Sequence, residues 1–420
     1  MSAMDHPDVL DHGVLRFLTA GSVDDGKSTL IGRLLYDTKA ILADQLAAIE
    51  RTSRRRGQAL DLSLFTDGLI AEREQGITID VAYRYFATGL RKFIIADAPG
   101  HDQYTRNMVT AASTAHLAIL LVDARHGVVM QTRRHATIAH LLGIPHLVVA
   151  VNKMDLVDWQ KGAYDNIVTD FKRFAQRTGI SDVRFVPMSA LEGDMIVDRG
   201  SRLPWYDGPT LLQILETAEV PETLATAPFR FPVQYVSRPT AASPRAYMGR
   251  IESGAIAVGD RVTALPSGAT TKVREIRTYD GPLARAGLHA AVTLVLADAI
   301  DVSRGDMLVR EDAAPATTRR LDATVCWLAD ASLDPRRAYL LRHTTREVRA
   351  SIVRIDHLWS TTTQTKVPAP ATLARNDIGD VTLTLAQPVF ADRYTENRAT
   401  GAFILIDEAT NGTVGAGLIR

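Results

Sequence analysis

The sequence predicts a doubly wound, mainly parallel α/β domain carrying a phosphate-binding loop, followed by two β-barrel domains. Three observations predict it. The stretch Gly21-Ser22-Val23-Asp24-Asp25-Gly26-Lys27-Ser28 fits the pattern Gly, four residues, Gly-Lys-Ser. In the first half, nearly continuous apolar runs alternate with segments of helical length, as expected of buried parallel strands joined by helical crossovers. From Phe229 onward, short segments alternate apolar and polar residues between turn signals, as in closed antiparallel barrels.

Each element follows from its residues. The apolar run Val14–Ala20 leads straight into the glycine loop, and Thr29–Tyr36 reads as the helix after it. Further strands are expected at Phe93–Ala96, Leu117–Val122, Leu147–Val151 and Phe185–Met188, with helices at Gln131–Leu142 and Asp158–Thr178. The turn-rich Pro204-Trp205-Tyr206-Asp207-Gly208-Pro209 and a helix over Thr210–Ala218 close this domain, and Val220–Pro228 reads as a linker. Turn signals at Gly254, Gly259-Asp260, Ser267-Gly268 and Asp280-Gly281-Pro282 space the first barrel's strands. After a break over Arg310–Arg319 come strands at Asp322–Leu328, Glu347–Asp356, Asp380–Leu385 and Gly401–Ile406. The expected domains are residues 1–224, 225–316 and 317–420.

Bulk properties narrow the function classes. At 420 residues the chain exceeds one ordinary core. Lys+Arg and Asp+Glu each number 48, so no overall basicity points to nucleic acid. The lone Cys326 excludes an internal disulfide framework and suits a reducing compartment. The acidic start, without an apolar core, does not read as a signal peptide, and no stretch reaches the apolar length of a membrane span. A soluble cytoplasmic protein, with neither nucleic acid nor membrane as partner, is expected. The 11 histidines include no His-x-x-x-His pair on a helix, which argues against zinc.

The decisive pattern is where polar residues fall. Asp97-Ala98-Pro99-Gly100 follows one strand directly, Asn152-Lys153-Met154-Asp155 another, and Ser189-Ala190-Leu191 a third. In an open parallel sheet, ligands sit outside the carboxyl ends of the strands, so these sets and the glycine loop converge on one edge. Gly21, Ser22, Val23, Asp24, Asp25, Gly26, Lys27, Ser28 and Thr29 would wrap a polyphosphate with backbone N–H groups at a helix N-terminus. Lys27 would reach the β- and γ-phosphates and Ser28 a magnesium ion. The Asp97 carboxylate would hold the magnesium shell through water, and the Gly100 N–H would meet the γ-phosphate. Asp155 would accept from N1–H and the 2-amino group of guanine, which adenine lacks. Asn152 and Lys153 would frame the base, and the Ser189–Leu191 backbone would meet its O6. Guanine is therefore the expected base. The alternative for Asn152 and Asp155 is that they cap the next helix.

These motifs resemble translation-factor-type GTPases, with Glu72–Asp80 (EREQGITID) as the first switch and Asp97–His101 (DAPGH) as the second. The resemblance implies that Thr78 closes over magnesium and the γ-phosphate, that His101 orients the attacking water, and that Asp24 helps place a monovalent cation. On residues alone, His101 reads equally as a capping or solvent-facing side chain. Catalytic roles thus fall to His101, Lys27 and Thr78, with Ser28, Thr78 and, through water, Asp97 at the metal.

The strings Thr19–Lys39, Asp61–Tyr85, Lys92–Ala112, Asn397–Asp407 and Thr413–Gly417 resemble more closely the large subunits of bacterial sulfate adenylyltransferase. That resemblance implies a PP-loop-type small subunit as partner, which transfers the adenylyl group of ATP to sulfate while GTP is hydrolysed to GDP here. The alternatives are an elongation factor delivering aminoacyl-tRNA, or a GTP-regulated scaffold. Some relatives carry a fused adenylylsulfate kinase; with the chain stopping at Arg420, that activity is expected to be absent. Arg51, Arg54, Arg55 and Arg56, and Arg336, Arg337, Arg342, Arg346 and Arg349, read more simply as solvated charge than as docking patches.

Overall fold

Among the described residues, six strands build the first sheet: β1 (Val14–Ala20), β2 (Ala82–Ala87), β3 (Lys92–Asp97), β4 (Leu117–Asp123), β5 (His146–Asn152) and β6 (Val183–Pro187). Their order in the computed structural model is β2-β3-β1-β4-β5-β6, all parallel except β2 at one edge, which runs antiparallel to β3. The structure describes residues 13–55, 60–65, 81–98, 105–220, 223–238, 240, 244–360, 365–368 and 370–420. Every residue of β4 is buried, which is why its seven positions read as one apolar run ending in a single aspartate. Phe17, Phe86 and Phe93 pack together behind β1–β3, the last two stacked at 4.5 Å.

The connecting helices are α1 (Lys27–Asp37), α2 (Ala43–Arg55), α3 (Thr105–Ala112), α4 (Met130–Leu141), α5 (Lys161–Thr178) and α6 (Leu211–Thr217). A helix read from Asp158 starts instead at Lys161. Asp158 and Trp159 have φ of 52° and 57°, left-handed values that a right-handed helix cannot incorporate. The chain leaves β5 through a single 3₁₀ turn, Met154–Val157, before that reversal. The expected closing corner is present: Trp205 Nε1 donates to Trp159 O at 2.9 Å and Tyr206 Oη to Phe185 O at 2.9 Å. Thr210 and Gln213 then form a reciprocal capping box at the start of α6.

The chain divides into two compact units after Val220, the second running from Pro221 to Ser360 and from Lys366 to Arg420. This second unit holds two six-stranded closed barrels. The first orders Arg261–Leu265, Met307–Arg310, Arg230–Ser237, Ala246–Arg250, Ala291–Leu296 and Ala269–Thr278, which pairs back onto the first strand. The second orders Ala338–His343, Ala402–Ile406, Thr413–Ile419, Ala316–Trp327, Ile378–Ala391 and Arg346–Ser360, and closes the same way. Full closure leaves these strands no free edge within the ring. Each barrel has its own apolar core, one around Phe231, Tyr247 and Leu294, the other around Trp327, Leu341 and Leu383.

The barrels are joined by buried charge. Arg230, on the first, forks onto both carboxylate oxygens of Asp392 at 2.9 Å and donates to Ala313 O at 2.6 Å. Asp392 also accepts from Thr400 Oγ1 at 2.6 Å, and Asn397 Nδ2 reaches Ser253 Oγ at 3.0 Å. Of the arginines read as solvated charge, four in the second barrel are paired: Arg336 with Asp334, Arg337 with Asp407, Arg342 with Glu347 and Arg349 with Glu408; Arg56 lies outside the described residues. Arg346 departs from that reading. It is nearly buried between the barrels, ion-paired with Asp306 at 3.2 Å and donating to Pro388 O at 2.9 Å. Among the described residues, no helix is long and apolar enough to cross a membrane.

Candidate functional site

Strand register brings the polar sets to one edge. Thr19, the penultimate residue of β1, lies opposite Asp97 at the end of β3, and Asp123 at the end of β4 lies opposite Asn152 at the end of β5. β1 therefore ends beside β3, and β4 beside β5, with β4 running three residues past the end of β1; the loops that follow all leave the carboxyl side of the sheet. Gly21–Gly26 turns between β1 and α1. The turn needs Gly26, whose φ is 93° and whose missing Cβ would lie 2.5 Å from Asn152 Nδ2. Asp24 also adopts a left-handed φ of 65°. The Asp25 carboxylate closes the loop from inside, accepting from Ser22 N–H at 2.5 Å.

Lys27 begins α1 and is only 7% exposed. Its ammonium folds back over the loop, donating to Ser22 O at 2.7 Å and Gly21 O at 3.1 Å. Burial lowers its pKa, while the carboxylates of Asp97, Asp25 and Asp24 oppose that shift. A desolvated cation so placed is poised to exchange carbonyl partners for phosphate oxygens. Asp97 is 1% exposed and accepts from Thr19 Oγ1 at 3.1 Å, which fixes its rotamer on the Lys27 side of the rim. Ala98 is fully buried, its N–H on Thr19 O at 3.2 Å. Ser28 and Thr29 lie half-buried in the first turn of α1, and Val23 is exposed on the loop.

Asn152 ties three loops together. Its Nδ2 donates to Asp25 O at 2.8 Å, and its Oδ1 accepts from Ala190 N–H at 2.9 Å. Lys153 sits at φ 62° and sends its ammonium to Asp24 O and, at 3.0 Å, to the Asp123 carboxylate. Met154 is wholly buried and contributes through its backbone, the N–H donating to Met188 O at 3.1 Å. Neither Asn152 nor Asp155 caps a helix: the residue before the 3₁₀ turn is Lys153, the residue before α5 is Gln160, and neither helix start has a side-chain cap.

Asp155 carries the observation that bears on the ligand. Its Oδ1 is buried and has no hydrogen-bond partner among the described residues. A buried carboxylate oxygen left without a donor is costly, and two parallel N–H donors, the edge guanine presents, would satisfy it. The loop after β6 is tied to the same strand end through the Ala190 N–H on Asn152 Oδ1. Ser189 organises it, with its N–H on Asp194 O, its carbonyl on Gly193 N–H and its hydroxyl on Glu192 N–H. The donor set fits magnesium too: a hydroxyl at Ser28 and a fixed carboxylate at Asp97 are hard oxygen ligands. Thr78, Pro99, Gly100 and His101 lie outside the described residues, so the switches themselves are not part of this geometry.

Residues 12–225 match the family model described as elongation factor Tu GTP binding domain. Residues 320–420 match one described as GTP-eEF1A C-terminal domain-like. Sulfate adenylyltransferase subunit 1 of Alteromonas mediterranea is 51% identical, over 97% of this chain and 86% of that protein. The Chromobacterium violaceum protein of the same name is 53% identical over 97% and 86%. The bifunctional enzyme CysN/CysC of Mycobacterium tuberculosis is 54% identical over 97% of this chain and 67% of its own length. The chain belongs to the sulfate adenylyltransferase subunit 1 family of GTPases.

Within this family frame, two residues of the rim, Asp123 and Arg33, escaped the motif search. Asp123, at 2% exposure, holds Arg125 bidentately at 2.7 and 3.0 Å while also meeting Lys153. Burial raises its pKa, but the Arg125 and Lys153 contacts outweigh that and hold the carboxyl well below the usual carboxylate range. Asp25 fills the loop interior, where burial raises its pKa against the opposing Ser22 and Lys27 contacts. Arg33, on α1, reaches the loop after β6. A polar residue ending the all-apolar β4 was the one signal that could have marked Asp123; nothing local marks Arg33.

Proposed function

We propose that this chain is the GTP-hydrolysing subunit of a sulfate adenylyltransferase, and that turnover here drives transfer of the adenylyl group of ATP to sulfate on a PP-loop-type partner subunit. The observation that carries the nucleotide reading is the convergence of Lys27, Asp97, Asn152 and Asp155 on one sheet edge, with a buried Asp155 oxygen awaiting a donor. The sulfate reading rests on the names of relatives more than half identical along nearly the whole chain.

In this reading the nucleotide's phosphates lie against Gly21–Thr29, the backbone N–H groups and the α1 N-terminus cancelling part of their charge. Lys27 stabilises charge on the β- and γ-phosphate oxygens as the bond between them loosens. Magnesium, held by Ser28 and Thr78 with Asp97 behind its water shell, would neutralise charge on the same oxygens. Ala98, Pro99 and Gly100 lead the second switch past the γ-phosphate, and His101 orients the attacking water. A monovalent cation beside Asp24 would add to the same charge balance. Asn152, Lys153 and Met154 hold the base edge, Asp155 selects guanine, and Ser189–Leu191 meets O6. Adenylyl transfer from ATP to sulfate is unfavourable alone; hydrolysis of GTP to GDP supplies the missing driving force. A cytoplasmic setting, where ATP, GTP and the partner coexist, completes the proposal.

The test is GTP turnover of the purified chain, alone and with the small subunit from its own genome, with ATP and sulfate present or omitted. The expected result is a large rise requiring partner, ATP and sulfate together, with adenosine 5′-phosphosulfate accumulating. Turnover indifferent to all three but stimulated by ribosomes would move the protein to translation.

A further inference from the structure

Arg33 and the loop after β6 are 157 positions apart or more, yet the guanidinium spans the gap. Its Nε donates to Ala190 O at 3.4 Å and its Nη2 to Leu191 O. The far side of the fork is held by Asp37, one turn on along α1, at 3.6 Å from Nη1. The residue beside the guanidinium is Gly193. It has φ of 92°, and a Cβ there would sit 3.4 Å from Arg33 Nη1.

Pinning a carbonyl also aims an amide. In a trans peptide, C=O and the following N–H point in opposite directions. Drawing the Ala190 carbonyl toward Arg33 therefore turns the Leu191 N–H away from α1. The loop's other amides are occupied: Ser189 N–H on Asp194 O, Ala190 N–H on Asn152 Oδ1, Glu192 N–H on Ser189 Oγ, and Gly193 N–H on Ser189 O. The Leu191 N–H has no partner among the described residues and is left as the loop's open donor.

We infer that Arg33 is a positioning residue for base recognition, holding the Ala190–Leu191 peptide so that the Leu191 N–H meets the guanine O6. This rests on the guanine-site reading above and adds which atom reads O6 and what aims it. Two sides of the base are then read by independent parts. Asp155 reads N1–H and the 2-amino group from the β5 loop, and Leu191 reads O6 under the control of the phosphate-loop helix. A change in α1 would reach the O6 side without touching the Asp155 side.

The experiment measures dissociation constants of the full chain for GDP, inosine diphosphate (no 2-amino group) and 6-thioguanosine diphosphate (a weakly accepting sulfur in place of O6, with N1–H and the 2-amino group kept). Wild type, Arg33→Ala and Arg33→Lys are compared, each checked for cooperative unfolding. The wild type is expected to prefer GDP over both analogues. In Arg33→Ala, GDP should weaken about tenfold, the worth of one hydrogen bond to a polarised acceptor. The preference for GDP over the 6-thioguanosine nucleotide should collapse toward unity while that over inosine diphosphate holds. Arg33→Lys, which keeps the charge but not the fork, should fall between. Equal weakening of all three nucleotides, loss of both preferences together, or no change would overturn the inference. A wild type showing neither preference would remove the guanine site itself.

Discussion

Replacing Asp155 by Asn gives a quantitative test of the guanine site. The carboxylate accepts two donors in the bound state, and hydrogen bonds to a charged acceptor contribute about 1.5–3 kcal/mol each. Asn keeps one neutral acceptor, worth about 1 kcal/mol, and turns an NH₂ toward a guanine donor. The net loss is about 2–5 kcal/mol, or roughly 30- to 4,000-fold in Kd. The same NH₂ can donate to a carbonyl at C2, so xanthine nucleotides should gain while guanine nucleotides lose. Stability should move differently. Asp155 Oδ1 is already buried without a partner, so the free protein carries its desolvation cost and Asn removes the charge. Calorimetric titration of GDP and xanthosine diphosphate, with thermal unfolding of the nucleotide-free chain, separates the two effects. GDP affinity within threefold of wild type, or a Tm falling by many degrees without nucleotide, would refute the assignment of Asp155 to the base.

Three further outcomes follow from the geometry. Gly26→Ala combines a left-handed φ of 93° with a Cβ 2.5 Å from Asn152 Nδ2, so it should displace Asn152 and weaken GDP at least tenfold, with a strain cost of about 1–2 kcal/mol seen in denaturant unfolding. Arg230→Met should destabilise the second unit by about 3–5 kcal/mol, because Asp392 is left buried with its principal cation gone; adding Asp392→Leu should recover much of that loss in thermal melts, whereas additive losses would refute the argument. Burial, with Lys27 and Arg134 adding to it, drives the His135 pKa down to about 3 from 6.5. The unfolded chain therefore binds a proton that the folded chain refuses, so this contribution is whole above pH 6.5 and declines as the pH falls from there toward 3, by about 1.4 kcal/mol per pH unit. His135→Gln should flatten that part of the stability–pH curve, and an unchanged slope between pH 6 and 4.5 would count against it.

What the sequence disclosed was what neighbouring residues determine. Gly26 and Lys27 are legible because glycine spacing, a preceding apolar run and a following helix sit within about twenty positions. The 97, 152 and 189 sets are legible because a parallel sheet must end its strands on one side. The start of α5 was misread because Asp158 and Trp159 take left-handed backbone, and neither residue type announces it. The antiparallel edge strand β2 was passed over because only one of its six residues is fully buried, which leaves little apolar pattern to find. The arginines of the second barrel show the limit most clearly. Arg342 and Arg346 are four apart on the chain and alike in sequence context, yet one is a surface ion pair and the other a nearly buried tie to Asp306. Charge pattern across one hairpin cannot tell which residue meets another barrel.

Asn152 shows why the phosphate and base halves of the site cannot be tuned separately. Its two side-chain bonds join Asp25 of the glycine loop to Ala190 of the base loop, and Lys153 repeats the tie through Asp24 and Asp123. Each amide group of Asn152 is spent on one half, and the residue is 1% exposed, so water cannot take over either bond. Asn152→Asp would keep an acceptor for Ala190 but bring a carboxylate against the Asp25 carbonyl, close to a loop that must accept phosphate. Asn152→Ala would leave the Asp25 carbonyl and the Ala190 N–H both without a donor or acceptor. Either change should raise Kd for a guanine nucleoside and for its diphosphate together. Arg33→Ala, acting on one peptide of the base loop, should instead change the preference between bases. A shared pivot and a one-sided lever are thus distinguished by which binding ratio moves.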